Sequence, residues 1–133
     1  MSAIKEGAAA GVAFLCRVDE LAEGQSRGFD PWGEGRDTVL LVRHGGDVHG
    51  WRDACPHHGG TPMAWRKNEY LNADRNRIVC AAHGAQFEIA SGKCTLGPCL
   101  GQSLQRADTF ITTEQHIYIR RTSEEETRHD IQR

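Results

Sequence analysis

The residues C-P-H-H-G-G at 55–60 and C-A-A-H-G-A-Q-F at 80–87 are the most informative part of this sequence, because each places a cysteine shortly before a histidine. Side chains two residues apart in an extended segment point to the same side, and a tight turn achieves the same for residues three apart. The glycines after each histidine allow the backbone to approach closely. Two such loops, facing each other, would offer two thiolates and two imidazoles to one inorganic centre. The candidate ligands are Cys55, His57, Cys80 and His83.

Two metal centres use such a ligand set. A single zinc ion binds two cysteines and two histidines in a tetrahedron. A [2Fe–2S] cluster can hold both cysteines on one iron and both histidines on the other. The ligand types and their spacing leave both centres open.

The composition indicates a soluble, single-domain protein. The chain has 133 residues, of which 38% are hydrophobic and 26% are charged, with a net charge of -2. This charge argues against nucleic-acid binding, and no run of about 18 apolar residues predicts a membrane span. Glu6 cancels the charge of Lys5, so the start of the chain does not resemble a secretory signal. The five cysteines lack the spacing of a disulfide framework, and we therefore expect a cytoplasmic protein with metal or redox chemistry.

The chain pattern predicts an all-β fold. Fifteen glycines and weak helical periodicity favour short strands joined by many turns. We expect residues 19–27 to form a loop with at most one helical turn, and residues 45–47 to close a hairpin. Strands are predicted at residues 12–18, 38–44, 48–54, 77–80 and 86–90, and in an alternating region at 103–120 that turns near 113–115. The predicted organisation is an N-terminal extension (1–11), a domain (12–120) and a polar, solvated C-terminal tail (121–133).

The paired motif, C-P-H-x-G followed by C-x-x-H-G-x-x-F, resembles the Rieske iron–sulfur proteins over roughly residues 12–120. The turn at residues 91–93 and the Gly97-Pro98 pair are also similar to this family, in which a proline-bearing third loop covers the cluster. The resemblance implies a Rieske-like domain of small antiparallel sheets with two cluster-binding loops and a Rieske-type [2Fe–2S] cluster. It implies that Cys55 and Cys80 hold the inner iron and that His57 and His83 hold the outer iron.

The resemblance is to the low-potential, ferredoxin-type branch of the family. High-potential members carry a serine two residues after the second histidine, a tyrosine two residues further on and a disulfide between the ligand loops. The corresponding residues here are Ala85, Phe87, and Gly60 with Ala82, none of which provides these groups. The implied function is a one-electron carrier, a component of an oxidoreductase system and not a stand-alone catalyst, with a reductase and an oxygenase as partners. Two alternatives are a small non-catalytic subunit similar to that of nitrite reductase, and a zinc-binding interaction module.

The segment between the two motifs is longer than is typical of ferredoxin-type members, with 22 residues between His57 and Cys80. The extra length lies in residues 64–77, which carry four basic and two acidic side chains. We interpret this insertion either as a neutral surface spacer or as a locally basic docking element.

The other cysteines and histidines do not fit the ligand pattern. Cys94 and Cys99 flank Gly97-Pro98, and we expect them to be thiols packed under the third loop, with a local disulfide as the alternative. Cys16 is expected in the core, and His58 is expected as an exposed neighbour of a ligand. The remaining histidines are interpreted as ordinary surface or strand residues: His44, His49, His116 and His129.

Overall fold

The computed structural model describes residues 11–56, 63, 64, 66–82 and 84–121. Within them lie nine short strands and one 3-10 turn, Val18–Glu20. The strands are β1 (Val12–Arg17), β2 (Ser26–Phe29), β3 (Val39–His44), β4 (Asp47–Arg52), β5 (Arg77–Val79), β6 (Gln86–Glu88), β7 (Cys94–Leu96), β8 (Thr109–Ile111) and β9 (His116–Arg120).

The strands form three antiparallel sheets of three strands each. The terminal sheet has the order β1-β9-β8, the middle sheet β2-β3-β4, and the third sheet β5-β6-β7. This arrangement of small antiparallel sheets confirms the all-β class predicted from the sequence.

Strand β3 separates two hydrophobic cores. Successive side chains of a strand point to opposite faces, and all four residues from Val39 to Val42 are buried. Leu40 and Val42 pack into the core beneath the ligand loops, which we call the loop core. Val39 and Leu41 pack into the core under β1 and β9, which we call the terminal core. Both faces of β3 are therefore covered by a core, and this explains why residues 39–42 are all apolar.

Two strands were not predicted from the sequence. The expectation of a loop through residue 27 is wrong at its end, because β2 begins at Ser26 and pairs with β3. Gly28 weakens the strand signal there, yet a Cβ at this position would lie 2.5 Å from the Tyr70 hydroxyl oxygen. Strand β7 lies directly before the third loop, in a segment for which the sequence analysis predicted no strand. The residues of these two strands do not by themselves show a strand pattern, because their positions depend on contacts with distant parts of the chain.

The remaining predicted strands are confirmed, with shifted ends: β1, β3, β5 and β6 are one or two residues shorter than predicted, β4 begins one residue earlier and ends two residues earlier, and the region 103–120 holds β8 and β9 but no strand before residue 109. The hairpin between β3 and β4 turns at Gly45 and Gly46, both with positive φ, as a two-residue hairpin turn requires. In β1 the register shifts between Phe14 and Cys16, so the adjacent Leu15 and Cys16 are both buried.

Several predictions fall outside the described part of the chain. They concern the N-terminal extension up to residue 10, the polar tail from residue 122, and His57, His58, Gly60, His83 and His129. Among the helices of the described residues, none is long and apolar enough to cross a membrane.

Candidate metal centre

The structure brings the two predicted cysteine ligands into one core. Cys55 follows β4 and Cys80 follows β5, and both belong to the loop core with no exposed surface. Their histidine partners, His57 and His83, lie outside the described residues. The cysteine half of the predicted ligand set is therefore placed by the structure, and the histidine half stays a prediction.

The second ligand loop, residues 80–85, is a tight turn that leaves the core and returns to it. The Cys80 N–H donates to the Ala85 carbonyl at 2.8 Å, and the Gly84 N–H donates to the Cys80 carbonyl at 2.7 Å. Gly84 has a φ of 73°, a left-handed conformation that glycine adopts without strain. Cys80 and Ala85 are buried, whereas Ala81, Ala82 and Gly84 are exposed. The described residues of this loop thus run from a buried cysteine to exposed positions and back to a buried alanine.

A buried carboxylate closes the first ligand loop, residues 55–62. Asp53 precedes this loop, and its Oδ1 accepts a 2.9 Å hydrogen bond from the N–H of Met63, which follows the loop. Its Oδ2 accepts a 2.6 Å hydrogen bond from the Tyr70 hydroxyl. The Ala81 N–H donates to the Met63 carbonyl at 2.9 Å, which links the end of the first loop to the second loop. The two ligand loops are thus connected through Asp53 and Met63.

The environment of Asp53 affects the protonation of the two groups that form the bond between its carboxylate and the Tyr70 hydroxyl. Burial raises the pKa of the Asp53 carboxyl above its ordinary 3.8, although the hydrogen bonds from Tyr70 and Met63 oppose this effect. Burial and the bond to Asp53 also raise the pKa of the Tyr70 hydroxyl, so that it keeps its proton and continues to donate. Asp53 was not predicted as a site residue from the sequence. Its only signal is one acidic residue between Trp51 and Cys55, which gives no indication of its partners.

The third loop, residues 97–102, lies against the second ligand loop. A Cβ on Gly97 would lie 2.9 Å from the Ala85 Cα, so only glycine permits this approach. The Leu100 N–H donates to the Gly97 carbonyl at 3.3 Å, and the Gln102 N–H donates to the Cys99 carbonyl at 2.8 Å. These bonds fix the loop backbone around Cys99, whose side chain is fully buried.

The cysteines of this region are buried and do not form disulfides. No disulfide joins any of the five cysteines, all of which belong to the described part of the chain. The Cys94 thiol points to the Leu96 carbonyl at 3.3 Å. The Cys99 sulfur lies 3.7 Å from the Cys55 sulfur, in contact with a predicted ligand and not with Cys94. The expectation of buried thiols is confirmed, and Cys16 is in the terminal core as predicted.

The insertion at residues 64–77 is anchored to β2. Tyr70 is buried in the loop core, and Asn68 accepts hydrogen bonds from the Ser26 hydroxyl at 2.7 Å and the Gly28 N–H at 2.8 Å. The Lys67 ammonium pairs with Asp37 at 2.7 Å. The interpretation as a mere surface spacer is therefore wrong at Tyr70 and Asn68, whereas a docking role stays a prediction.

Three of the four scattered histidines lie on strands, and the fourth, His129, is outside the described residues. His44, His49 and His116 are partly exposed residues of β3, β4 and β9, and His116 makes an edge contact with Phe14 at 5.5 Å between ring centroids. Within the described ranges, no group of three or more His, Cys, Asp and Glu side chains could hold a metal ion. These positions agree with their interpretation as ordinary strand residues.

Comparison with known proteins supports the motif. A family model described as the Rieske [2Fe-2S] domain matches residues 11–117. Apoptosis-inducing factor 3 of Homo sapiens is 35% identical over 109 residues, which cover 81% of this chain and 16% of the relative. The ferredoxin component of the alkene monooxygenase system of Xanthobacter autotrophicus is 33% identical over 79 residues, which cover 59% of this chain and 58% of the relative. This chain thus spans about a sixth of the human relative and somewhat over half of the bacterial one.

The fold also has a solved counterpart. The ferredoxin of carbazole 1,9a-dioxygenase from Nocardioides aromaticivorans IC177 superposes with a TM-score of 0.62 at 22% identity, covering 84% of this chain and 98% of that structure. The match to the family model extends over most of the described strands. This chain belongs to the Rieske [2Fe-2S] domain family, which confirms the Rieske-type [2Fe–2S] cluster predicted from its sequence.

Proposed function

We propose that this chain is a ferredoxin-type carrier that passes single electrons from a reductase to an oxygenase. Its cluster ligands in this proposal are Cys55, His57, Cys80 and His83. The observation that carries the proposal is the meeting of Cys55 and Cys80 in one fully buried core, at the base of two loops that each lead towards a histidine. The similarity to the alkene monooxygenase ferredoxin supports the choice of an oxygenase as the electron acceptor.

The residues present fit a cluster with two cysteine ligands inside and two histidine ligands outside. Both cysteine sulfurs are shielded from water and are not engaged in disulfides. The chain becomes exposed one residue after Cys80 and partly exposed one residue after Cys55. The described residues just after each cysteine are thus more exposed than the cysteine itself, which is in keeping with soft thiolate ligands on the inner side and imidazoles on the solvent side.

The protein residues around the ligands provide stable, water-free surroundings. When bound, a Rieske-type cluster accepts and releases one electron. Asp53 and Met63 hold the ends of the first loop, and the Gly97–Ala85 contact holds the third loop over the second. Rigid ligand positions limit the rearrangement that accompanies each change of charge.

The surface next to the ligand loops is suited to a protein partner. Leu96 and Leu100 are 54% and 64% exposed, although they are large and apolar. Among the described residues of the second and third loops, the exposed ones carry no charge: Ala81, Ala82, Gly84, Pro98, Leu100, Gly101 and Gln102. Apolar area beside a redox centre favours a short-lived contact with another protein. We propose that this uncharged surface of the second and third loops is the docking surface for the partner. We also propose that residues 12–120 form one domain, located in the cytoplasm.

Ligand substitution tests the proposal. We expect the purified protein to be brown and to take up one electron per chain in a reductive titration, whereas a zinc protein is colourless and takes up none. His57→Ala and His83→Ala should each abolish the Rieske-type absorption and paramagnetic resonance spectra, because the outer iron loses one of two protein ligands. His58→Ala is the matched control and should leave both spectra unchanged. An unaltered spectrum in His83→Ala would contradict the ligand assignment.

The carrier role has its own measurement. The reduced protein, mixed with an oxygenase component, should be reoxidised in a single-exponential step, and the oxidised protein should be reduced by the matching reductase. A protein that carries the cluster but exchanges electrons only within a permanent complex would contradict the ferredoxin role and favour a subunit role.

A further inference from the structure

Cys99 is a cysteine beside the ligands that the proposed function does not use. It lies in the third loop with no exposed surface, and its sulfur is 3.7 Å from the sulfur of Cys55. This separation is within the range of a hydrogen bond between sulfur atoms, since sulfur is larger than oxygen or nitrogen and its bonds are correspondingly longer. Cys99 thus touches a proposed ligand atom directly.

The direction of this hydrogen bond follows from ligand chemistry. When both sulfurs carry protons, either one can be the donor. A cysteine binds a metal as a thiolate, which has no proton to give. With Cys55 on iron, Cys99 is therefore the donor and Cys55 the acceptor. We propose that the Cys99 thiol donates a hydrogen bond to the Cys55 ligand sulfur and thereby raises the reduction potential of the centre. This inference rests on the proposed assignment of Cys55 as a ligand.

The surrounding backbone holds the donor in position. The Cys99 carbonyl accepts a 2.8 Å bond from Gln102, and the preceding Gly97 packs against the backbone of Ala85. Cys94, on the same segment, uses its thiol differently, since it points to the Leu96 carbonyl at 3.3 Å. Two buried thiols that are five residues apart therefore have different acceptors, and only that of Cys99 is a ligand sulfur.

The effect on potential follows from charge. An added electron makes the ligand sulfurs more negative, and a donor aimed at such a sulfur stabilises the reduced state more than the oxidised state. Hydrogen bonds to charged acceptors are stronger than those between neutral groups, and a low-dielectric core strengthens them further. Hydrogen bonds to cluster sulfurs are a recognised means by which proteins set the potential. The side chains of Ala85 and Phe87 in the same core carry no donor, so Cys99 adds a donor that these neighbours lack.

Midpoint potentials of three variants test the proposal. Cys99→Ala removes the donor and should lower the potential, whereas Cys94→Ala, which removes a buried thiol without a ligand partner, should leave it unchanged. Cys99→Ser keeps a donor, so its potential should lie above that of Cys99→Ala. A tenfold change in the reduction equilibrium corresponds to ~59 mV for one electron. Equal potentials in Cys99→Ala and the unaltered protein, or equal shifts in Cys99→Ala and Cys94→Ala, would overturn the proposal.

Infrared spectroscopy of the unaltered, cluster-loaded protein provides an independent readout. The S–H stretching band that disappears in Cys99→Ala should move to lower frequency when the protein is reduced, because its acceptor becomes more negative. The bands of Cys16 and Cys94 should stay in place. A Cys99 band that does not move on reduction would overturn the proposal. The same S–H band should also disappear in Cys99→Ser, which has no thiol, so the infrared test remains decisive if the alanine variant does not fold.

The test separates this inference from the function on which it rests. If the unaltered protein binds no [2Fe–2S] cluster, the proposed function fails. If it binds the cluster and the potential does not respond to Cys99, only the role of Cys99 fails.

Discussion

The two cores on either side of β3 are held together in different ways. The terminal core consists mainly of aliphatic side chains from strands that pair with one another, such as Leu15 of β1 and Ile117 of β9. The loop core contains polar groups that reach distant segments: Tyr70 donates to Asp53, and the Trp51 indole N–H donates to the Ile89 carbonyl at 2.9 Å. Strand pairing positions the side chains of β1 and β9 in the terminal core. The loop core lies under the ligand loops, which lack a continuous series of backbone hydrogen bonds between strands. It therefore depends on individual side-chain hydrogen bonds.

Asp53→Ala should have the largest effect on the loop core. The change leaves the Met63 N–H and the Tyr70 hydroxyl without their acceptor, at a cost of ~1–3 kcal/mol for each buried group. Because Asp53 joins the two ends of the first ligand loop, we also expect a reduced iron content per chain. The free energy of unfolding from denaturant titration and the iron content are the two measurements.

Ile117→Ala is the matched change in the terminal core. It should cost ~2–5 kcal/mol of unfolding free energy, as expected for a fully buried isoleucine, with an unchanged spectrum in the protein that remains folded. If Ile117→Ala and Asp53→Ala lowered the iron content equally at equal fraction folded, the separate roles of the two cores would be refuted.

Two glycines with positive φ test the packing of the loop core, and their substitution should have effects of intermediate size on the free energy of unfolding. Gly92 has a φ of 73°, and a Cβ there would lie 2.6 Å from the ring of Trp51 in the loop core. Gly101 has a φ of 89°, and a Cβ there would meet nothing within 4 Å. We expect Gly101→Ala to cost ~1–2 kcal/mol from backbone strain alone and Gly92→Ala a further ~1–3 kcal/mol from the displaced indole. Equal losses of unfolding free energy would show that the indole can move without cost.

The smallest expected effect lies outside both cores, at Glu23. Its carboxylate accepts hydrogen bonds from the Gly45 and Gly46 N–H groups at 2.7 and 3.0 Å, and these bonds lower the pKa of Glu23 below its ordinary 4.5. A lowered pKa in the folded state stabilises the protein above pH 4.5 and loses this contribution as the pH falls through the folded value. Glu23→Gln should therefore be slightly less stable than the unaltered protein at neutral pH, and the two should converge in acid. Denaturation of the cluster-free protein at a series of pH values measures this difference, and a gap that widened in acid would contradict it.

The sequence predicted those parts of the fold and the site that depend on residues close together along the chain. Cys55 and Cys80 stand out because each lies near a histidine and a glycine, and their burial in one core agrees with the interpretation. The hairpin at Gly45-Gly46 was equally visible, since few residues other than glycine accept both positive φ angles. By contrast, β2 was missed because Gly28 is a weak strand residue whose requirement comes from Tyr70, 42 positions further along the chain.

By itself, the sequence determined the family, the all-β class and the candidate ligands, because these depend on residue type and spacing along the chain. The tertiary structure alone decided that Asp53 closes the first ligand loop through Met63 and Tyr70, and that Cys99 faces Cys55 while Cys94 faces a carbonyl. Hydrogen-bond partners of buried side chains are set by which segments meet in space. Cys99 and Cys55 are 44 residues apart, so their contact leaves no periodic or local pattern in the sequence.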